Sequence, residues 1–250
     1  MSVVEATGIV TREVKYGDTS RILTVLTKEF GKISVLAGGA RTNKSGMLAS
    51  TQLFSYTTFN LFKGRDKSLY KINSGEVINS FSNIKNSLEA MAYASYFCEL
   101  ANWVIQEEAT DENQLSLLLN TMYVLSENKL PYQLIKAVYE FRTLGIQGFV
   151  PTLDICIDCS THSELCYLDL TRCGACCKSC GQAIEDAINT GEGILNAIRY
   201  ITTAEAKKIF AFKLGDNAIE YLSRLGEYLI EVYLEKHFKT LDYLKNVVSL

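Results

Sequence analysis

Leu53-Phe-Ser-Tyr-Thr-Thr-Phe-Asn-Leu-Phe62 is the stretch on which the fold turns. Phe54, Tyr56, Thr58, Asn60 and Phe62 fall on one face and Leu53, Ser55, Thr57, Phe59 and Leu61 on the other, the period of two that belongs to a β-strand. Working outward, Val3 to Val14, Arg21 to Thr27, Lys32 to Ala37 and Ser68 to Val77 read as further strands. The segments 15–20, 28–31, 38–50 and 63–67 between them carry the Gly or Asp that turns require. Five short strands within residues 1–80 predict a small OB-fold barrel, whose closure removes exposed sheet edges.

From Asn83 the period becomes helical. Ile84, Leu88, Met91, Ser95, Cys98, Ala101 and Ile105 recur on one helical face, and Leu115, Leu118, Leu119, Met122 and Leu125 on another after Thr110-Asp-Glu112. Pro131 opens a third helix over 132–144, and Pro151 follows the point where that helix stops. Thr202-Thr-Ala-Glu205 matches a capping box and predicts a helix through Phe212. Asp216 is placed to cap a last helix in which Ile219, Leu222, Leu225, Leu229, Val232 and Tyr233 recur. The predicted class is α+β and multidomain. An OB-fold barrel over 1–80 precedes an all-α domain in two parts, 81–150 and 183–250, interrupted by a cysteine-rich insertion over 151–182.

The net charge of −3 conceals an asymmetry. Residues 1–80 hold 11 Lys and Arg against 6 Asp and Glu, which leaves 14 against 22 for the remainder. Because screening limits a charge's reach to about 8–10 Å, such halves act separately: a basic barrel suits phosphate, and an acidic helical region suits protein partners. Arg12, Lys15 and Arg21 flank the first predicted loop, Arg41 and Lys44 lie in the third, and Lys63, Arg65 and Lys67 crowd the last hairpin. In an OB-fold these are the loops that meet nucleic acid, so all eight are candidate DNA contacts. Tyr16, Phe54, Tyr56 and Tyr70 are candidate stacking faces, with barrel core as the competing reading.

Seven of the eight cysteines lie between 156 and 180. Cys156-Ile-Asp-Cys159 and Cys177-Lys-Ser-Cys180 are C-x2-C pairs at the spacing of a structural zinc site, in which four thiolates complete a tetrahedron and leave no open position for catalysis. Gly181 favours this register, since glycine tolerates the turn of a zinc knuckle. Cys173-Gly-Ala-Cys176 offers another register, and Cys166, Cys173, Cys176 and His162 remain alternative ligands. Cys98 sits in an apolar stripe and reads as a small core residue, and His237 as solvated surface. With only two histidines, neither beside a plausible Ser or Cys nucleophile partner, a hydrolytic triad has little support; the deaminase pattern of His-x-Glu before Pro-Cys-x-x-Cys is absent, and Asn43 stands where a phosphate-binding loop needs glycine before Lys44. No enzymatic function and no small-molecule substrate are expected. No run reaches the roughly eighteen apolar residues of a membrane span, and Met1 to Gly8 lack the regions of a signal peptide, so a cytoplasmic location is expected.

The order of these features resembles the bacterial RecO family of recombination mediators. The resemblance rests on Gly8-Ile-Val10, Tyr16-Gly-Asp-Thr-Ser20, Leu26-Thr-Lys-Glu-Phe-Gly-Lys32, Gly39-Ala-Arg41 with Lys44-Ser45, and Pro151-Thr-Leu153 before Cys156, Cys159, Cys177 and Cys180. It spans nearly the whole chain. The chain departs from the family at Gly38 and Thr42, where basic residues are usual, which thins the basic surface. The resemblance implies a non-enzymatic, nucleoid-associated DNA repair protein that binds single-stranded and double-stranded DNA and anneals complementary strands. It further implies a structural Zn2+ and work with RecR to load RecA onto DNA covered by single-stranded DNA-binding protein, whose C-terminal tail would meet the helical region. A protein-interaction scaffold with a structural zinc site and no DNA binding of its own is the alternative.

Overall fold

In the computed structural model, which describes residues 2–38, 47–64, 69–149 and 151–249, the strand around Phe59 is one of five that close into a barrel. The strands are β1 (Ser2–Tyr16), β2 (Ser20–Thr27), β3 (Gly31–Ala37), β4 (Tyr56–Lys63), β5 (Leu69–Asn79), β6 (Leu165–Asp169), β7 (Gly174–Cys177) and β8 (Ala187–Asn189). The α-helices are α1 (Leu88–Val104), α2 (Glu112–Glu127), α3 (Tyr132–Ile146), α4 (Lys178–Gly181), α5 (Glu192–Thr203), α6 (Asp216–Leu234) and α7 (Lys239–Val248). The chain forms two compact units, one of residues 1–130 with 238–250 and the other of residues 131–237.

In the first unit the barrel runs β1-β2-β3-β5-β4, closed by the parallel pair β3 and β5 and by β4 against β1. Strand β1 serves two partners. Its first half pairs with β4, from Ser2 opposite Lys63 to Ile9 opposite Tyr56, and its second half with β2, from Gly8 opposite Thr27 to Tyr16 opposite Ser20. Gly8 lies in the overlap, where a Cβ would strike the Leu26 carbonyl, so the absence of a side chain is what lets the strands approach. Ala6, Val10, Leu23, Val25, Ile33, Val35, Phe59, Leu61, Tyr70 and Ile72 fill the interior. Strand β4 begins at Tyr56, three residues later than the alternation predicts. Phe54 adopts φ 70°, buries its ring and donates its N–H to the Val10 carbonyl at 2.8 Å, so Leu53 to Ser55 form a turn whose composition imitates a strand.

A 3-10 turn over Ser82–Asn86 leads into α1, whose N-terminus is capped by Ser87 accepting from Ala90 N at 3.2 Å; Asp111 caps α2 in the same way at 2.9 Å. Helix α1 is buried on most sides, including Tyr93, Tyr96, Phe97, Cys98 and Leu100, whereas Leu88 of the predicted stripe is exposed. It packs against α2, α7 and β1, which leaves little solvent face for an amphipathic pattern to mark. Helix α7, not foreseen from sequence, returns to this unit. Phe238 meets Tyr96 edge to face, and the Glu99 carboxylate accepts from Thr240 N at 3.0 Å and Thr240 Oγ1 at 2.5 Å.

In the second unit α3 packs against α6 and α5. Lys136 is buried here, reaching Glu140 at 3.0 Å, Glu227 at 3.4 Å and the Ser223 carbonyl at 3.1 Å. Pro131 occupies the N-cap position of α3. Gly215 takes that position in α6, leaving Asp216 as its first residue with no side-chain cap bond. The capping-box expectation fails. Thr202 and Thr203 end α5, their hydroxyls donating back to the Ile198 and Arg199 carbonyls at 2.9 and 2.7 Å, and residues 204–215 form turns and extended chain. A three-stranded sheet of order β7-β6-β8 follows the first cysteine pair; β6 and β7 lie within the predicted insertion, and only β8 falls in a part expected to be helical.

Candidate metal centre and nucleic-acid face

The metal centre is built from two short turns. Cys156 N donates to the Thr161 carbonyl at 2.8 Å and Ser160 N to the Cys156 carbonyl at 2.9 Å, with Ser160 in the left-handed region at φ 58°, so the first pair folds back on itself. The second pair straddles the end of β7 and the single turn of α4. Gly181 is needed for a reason other than the expected turn geometry, since a Cβ there would collide with the Tyr167 ring. The Sγ atoms of Cys156, Cys159, Cys177 and Cys180 all lie within 4.8 Å of one another. Cys159 and Cys177 are 3.8 Å apart, which matches the edge of about 3.8 Å in a tetrahedron with metal–sulfur bonds of about 2.3 Å. The thiol chemistry agrees. Burial pushes Cys156 upward, but backbone N–H groups of Cys159, Cys177 and Asp158 outweigh it and bring the thiol to about 6, and the Ser179 hydroxyl lowers Cys177. In each pair one thiol is thus lowered while its partner, Cys159 or Cys180, is raised; a soft metal would take all four as thiolates.

The competing register is drawn apart by neighbouring charge. Cys176 lies close to Cys156 and Asp158, within 4.8 Å, but donates to Asp158 Oδ2 at 3.6 Å, and burial pushes its thiol up to about 12. Asp158 is itself held by Arg172 through two bonds of 2.6 and 3.2 Å, and Arg172 also reaches Asp169 at 2.7 Å. A second cation would have to displace that guanidinium. His162 turns Nδ1 to the Asp154 carbonyl at 2.9 Å, and neither it nor Cys166 nor Cys173 joins a ligating group among the described residues. Cys98 is fully enclosed in α1 and burial raises its thiol; His237 is exposed.

Of the eight candidate DNA contacts, Arg41, Lys44, Arg65 and Lys67 lie outside the described residues. The other four divide between two faces of the barrel wall. Register carries Arg12, Thr24, Ser34 and Leu69 across β1, β2, β3 and β5 as one outer row, with Val14, Ile22, Leu36 and Lys71 as the next. Val14, Tyr16 and Leu69 are exposed apolar groups on this surface, and Lys71, which sequence reasoning missed, follows from the same alternation that turns Tyr70 inward. Lys15 and Arg21 stand opposite each other on the other face, where the hairpin outruns the barrel. Arg21 is engaged by Glu13 at 2.5 Å. Lys63 departs from the loop expectation: it ends β4 half-buried, its ammonium 5.5 Å from the Tyr70 ring centroid and 5.9 Å from that of Phe30, a cation–π arrangement. Among the stacking candidates Tyr16 is exposed and Tyr56 half-buried, whereas Phe54 and Tyr70 belong to the core.

Among the described residues no helix is long and apolar enough to cross a membrane. The family model described as recombination protein O N terminal matches residues 1–81, and that described as recombination protein O C terminal matches residues 85–242. A DNA repair protein RecO of Acetivibrio thermocellus is 36% identical over 249 residues, covering 99% of this chain and 98% of its own length. The corresponding proteins of Alkaliphilus metalliredigens and Caldicellulosiruptor saccharolyticus are each 30% identical, over 247 and 246 residues, covering 98% of this chain and 100% and 99% of their own lengths. Barrel, helices and cysteine tetrad thus occur in a chain that both family models and full-length relatives match, and the chain belongs to the RecO family.

Proposed function

We propose that the protein is a non-enzymatic recombination mediator of DNA repair that binds single-stranded and double-stranded DNA through its barrel and anneals complementary strands. It assists RecA loading with RecR on DNA covered by single-stranded DNA-binding protein, whose C-terminal tail engages the helical region, and it acts in the nucleoid. Cys156, Cys159, Cys177 and Cys180 hold a structural Zn2+, which cross-links the two turns and offers no open coordination position. Annealing needs no covalent step. Cations that neutralise two repelling phosphate chains let base pairing supply the net stabilisation. The observation that carries the reading is the outer barrel wall, where the exposed Tyr16, Val14 and Leu69 provide flat apolar surface beside Arg12 and Lys71.

The test measures affinity of the full chain for a single strand as a function of salt. Four phosphate contacts give a slope of log affinity against log salt of roughly −3, and replacing Arg12 and Lys71 with alanine is expected to flatten it by about 1.4. Affinity unchanged by salt, or no binding, would instead support a zinc-stabilised interaction scaffold, a reading favoured by the internal engagement of Arg21 and Lys63.

A further inference from the structure

Within the first unit a cleft of about 510 Å³ opens between strand β1 and helices α1 and α7, lined by Arg12, Glu13, Ser95, Glu99, Asn102 and Lys239 among others. Its geometry begins at a β-bulge, where the register of β1 against β2 shifts between Val10 and Arg12. Thr11, the extra residue, is buried and donates to Asn102 Oδ1 at 2.9 Å. A bulge bends its strand and re-aims the next side chain. Here that side chain is Arg12, which lines the cleft while remaining part of the outer barrel row.

The polar groups of the cleft are unequally engaged. Glu13 is held by Arg21 and Glu99 by the backbone and hydroxyl of Thr240, so both carboxylates have donors. Arg12 and Lys239 are exposed, and neither has a side-chain hydrogen bond or ion pair among the described residues. Asn102 spends its oxygen on Thr11, leaving its Nδ2 hydrogens as further donors beside them. We propose that Arg12 and Lys239 together bind one phosphate of a single strand, so that the DNA path leaves the barrel wall and continues along the start of α7. Charge-assisted donors from a guanidinium and an ammonium, with a neutral amide in the same cleft, suit a phosphodiester, which offers acceptors and a single negative charge. The site joins barrel strand β1 to a helical region that is acidic overall, and the fold brings Lys239 to the same cleft as Arg12 although 227 residues separate them in sequence.

This inference rests on DNA binding by the barrel, and the experiment separates the two. The probe is an oligothymidylate strand titrated against the full zinc-loaded chain at several salt concentrations, with wild type, Lys239→Ala, Arg12→Ala and, as control, the exposed Lys207→Ala of the second unit. Loss of one contact is expected to flatten the salt slope by about 0.7, which is about fivefold in affinity at 0.1 M salt relative to 1 M, for Lys239→Ala and Arg12→Ala but not for the control. In parallel, acetylation of lysine amines followed by mass spectrometry is expected to show Lys239 protected by the strand and Lys207 unprotected. If Lys239→Ala keeps the wild-type slope, or if Lys239 is acetylated equally with and without DNA while the wild type binds, the cleft is not a phosphate site and barrel binding stands. If the wild type binds no DNA, both readings fall.

Discussion

In the barrel, ten and more apolar side chains from five strands interlock around Phe59 and Leu61, and every strand has two neighbours. The sheet β7-β6-β8 has strands of four, five and three residues and buries Leu165, Leu168 and Ala175 beside its thiols. Both are small β-structures, yet one closes on itself and the other does not. A closed barrel buries enough apolar area to offset the entropy of ordering its chain, whereas a sheet of this size does not stand alone: it packs against α5, and the proposed metal on four thiolates would add a cross-link.

Metal removal should set the two β-structures apart most visibly. Structural zinc contributes about 10–16 kcal/mol of apparent binding free energy in finger peptides at neutral pH. Chelation, or Cys177→Ser, is therefore expected to eliminate bound zinc and to speed amide exchange across residues 152–189 while barrel amides stay protected; equal protection in both states would show that the sheet stands without metal. The converse substitution acts on the other side. Phe59→Ala is expected to destabilise the first unit by about 3–5 kcal/mol through the cavity it leaves, read by denaturant unfolding, with the zinc content unchanged. The smallest effect lies at the hairpin. The Glu13 and Arg21 pair is partly solvated, so Arg21→Ala should cost less than about 1 kcal/mol. Because its charge is already engaged, that variant should also flatten the salt slope of DNA binding less than Lys15→Ala does.

Those expectations bear on what the sequence could reveal. The barrel was legible because alternation is a local signal, and it misled only at Leu53 to Ser55, where the positive φ of Phe54 makes a turn from strand-like residues. Helices α1 to α3 were legible as helices, but not the burial of α1 on most sides, since alanines and aromatics around the whole circumference leave no polar stripe. Thr202 and Glu205 have the right spacing for a cap and the wrong backbone before it, because α5 already runs through Thr203. Strands β6 to β8 are too short to show a period, and nothing local marks Lys136 as buried, as its carboxylate and serine partners lie 4 and 87 residues away. At the site, spacing exposed the two C-x2-C pairs. What separates Cys176 from them is Asp158 and Arg172, brought together across 14 residues by tertiary structure. The nearness of Lys239 to Arg12 was invisible for the same reason.

The clasp of Glu99 on Thr240 has a consequence for the order of synthesis. A span of 141 residues separates the two, and the whole second unit is threaded between them. A ribosome releasing the chain from its N-terminus therefore delivers the barrel and α1 long before the helix that completes their packing. During that interval Tyr96 lacks the cover of Phe238, and the inserted unit has time to fold first. Docking of α7 is therefore the last packing event open to the first unit, since it waits on synthesis of the whole second unit.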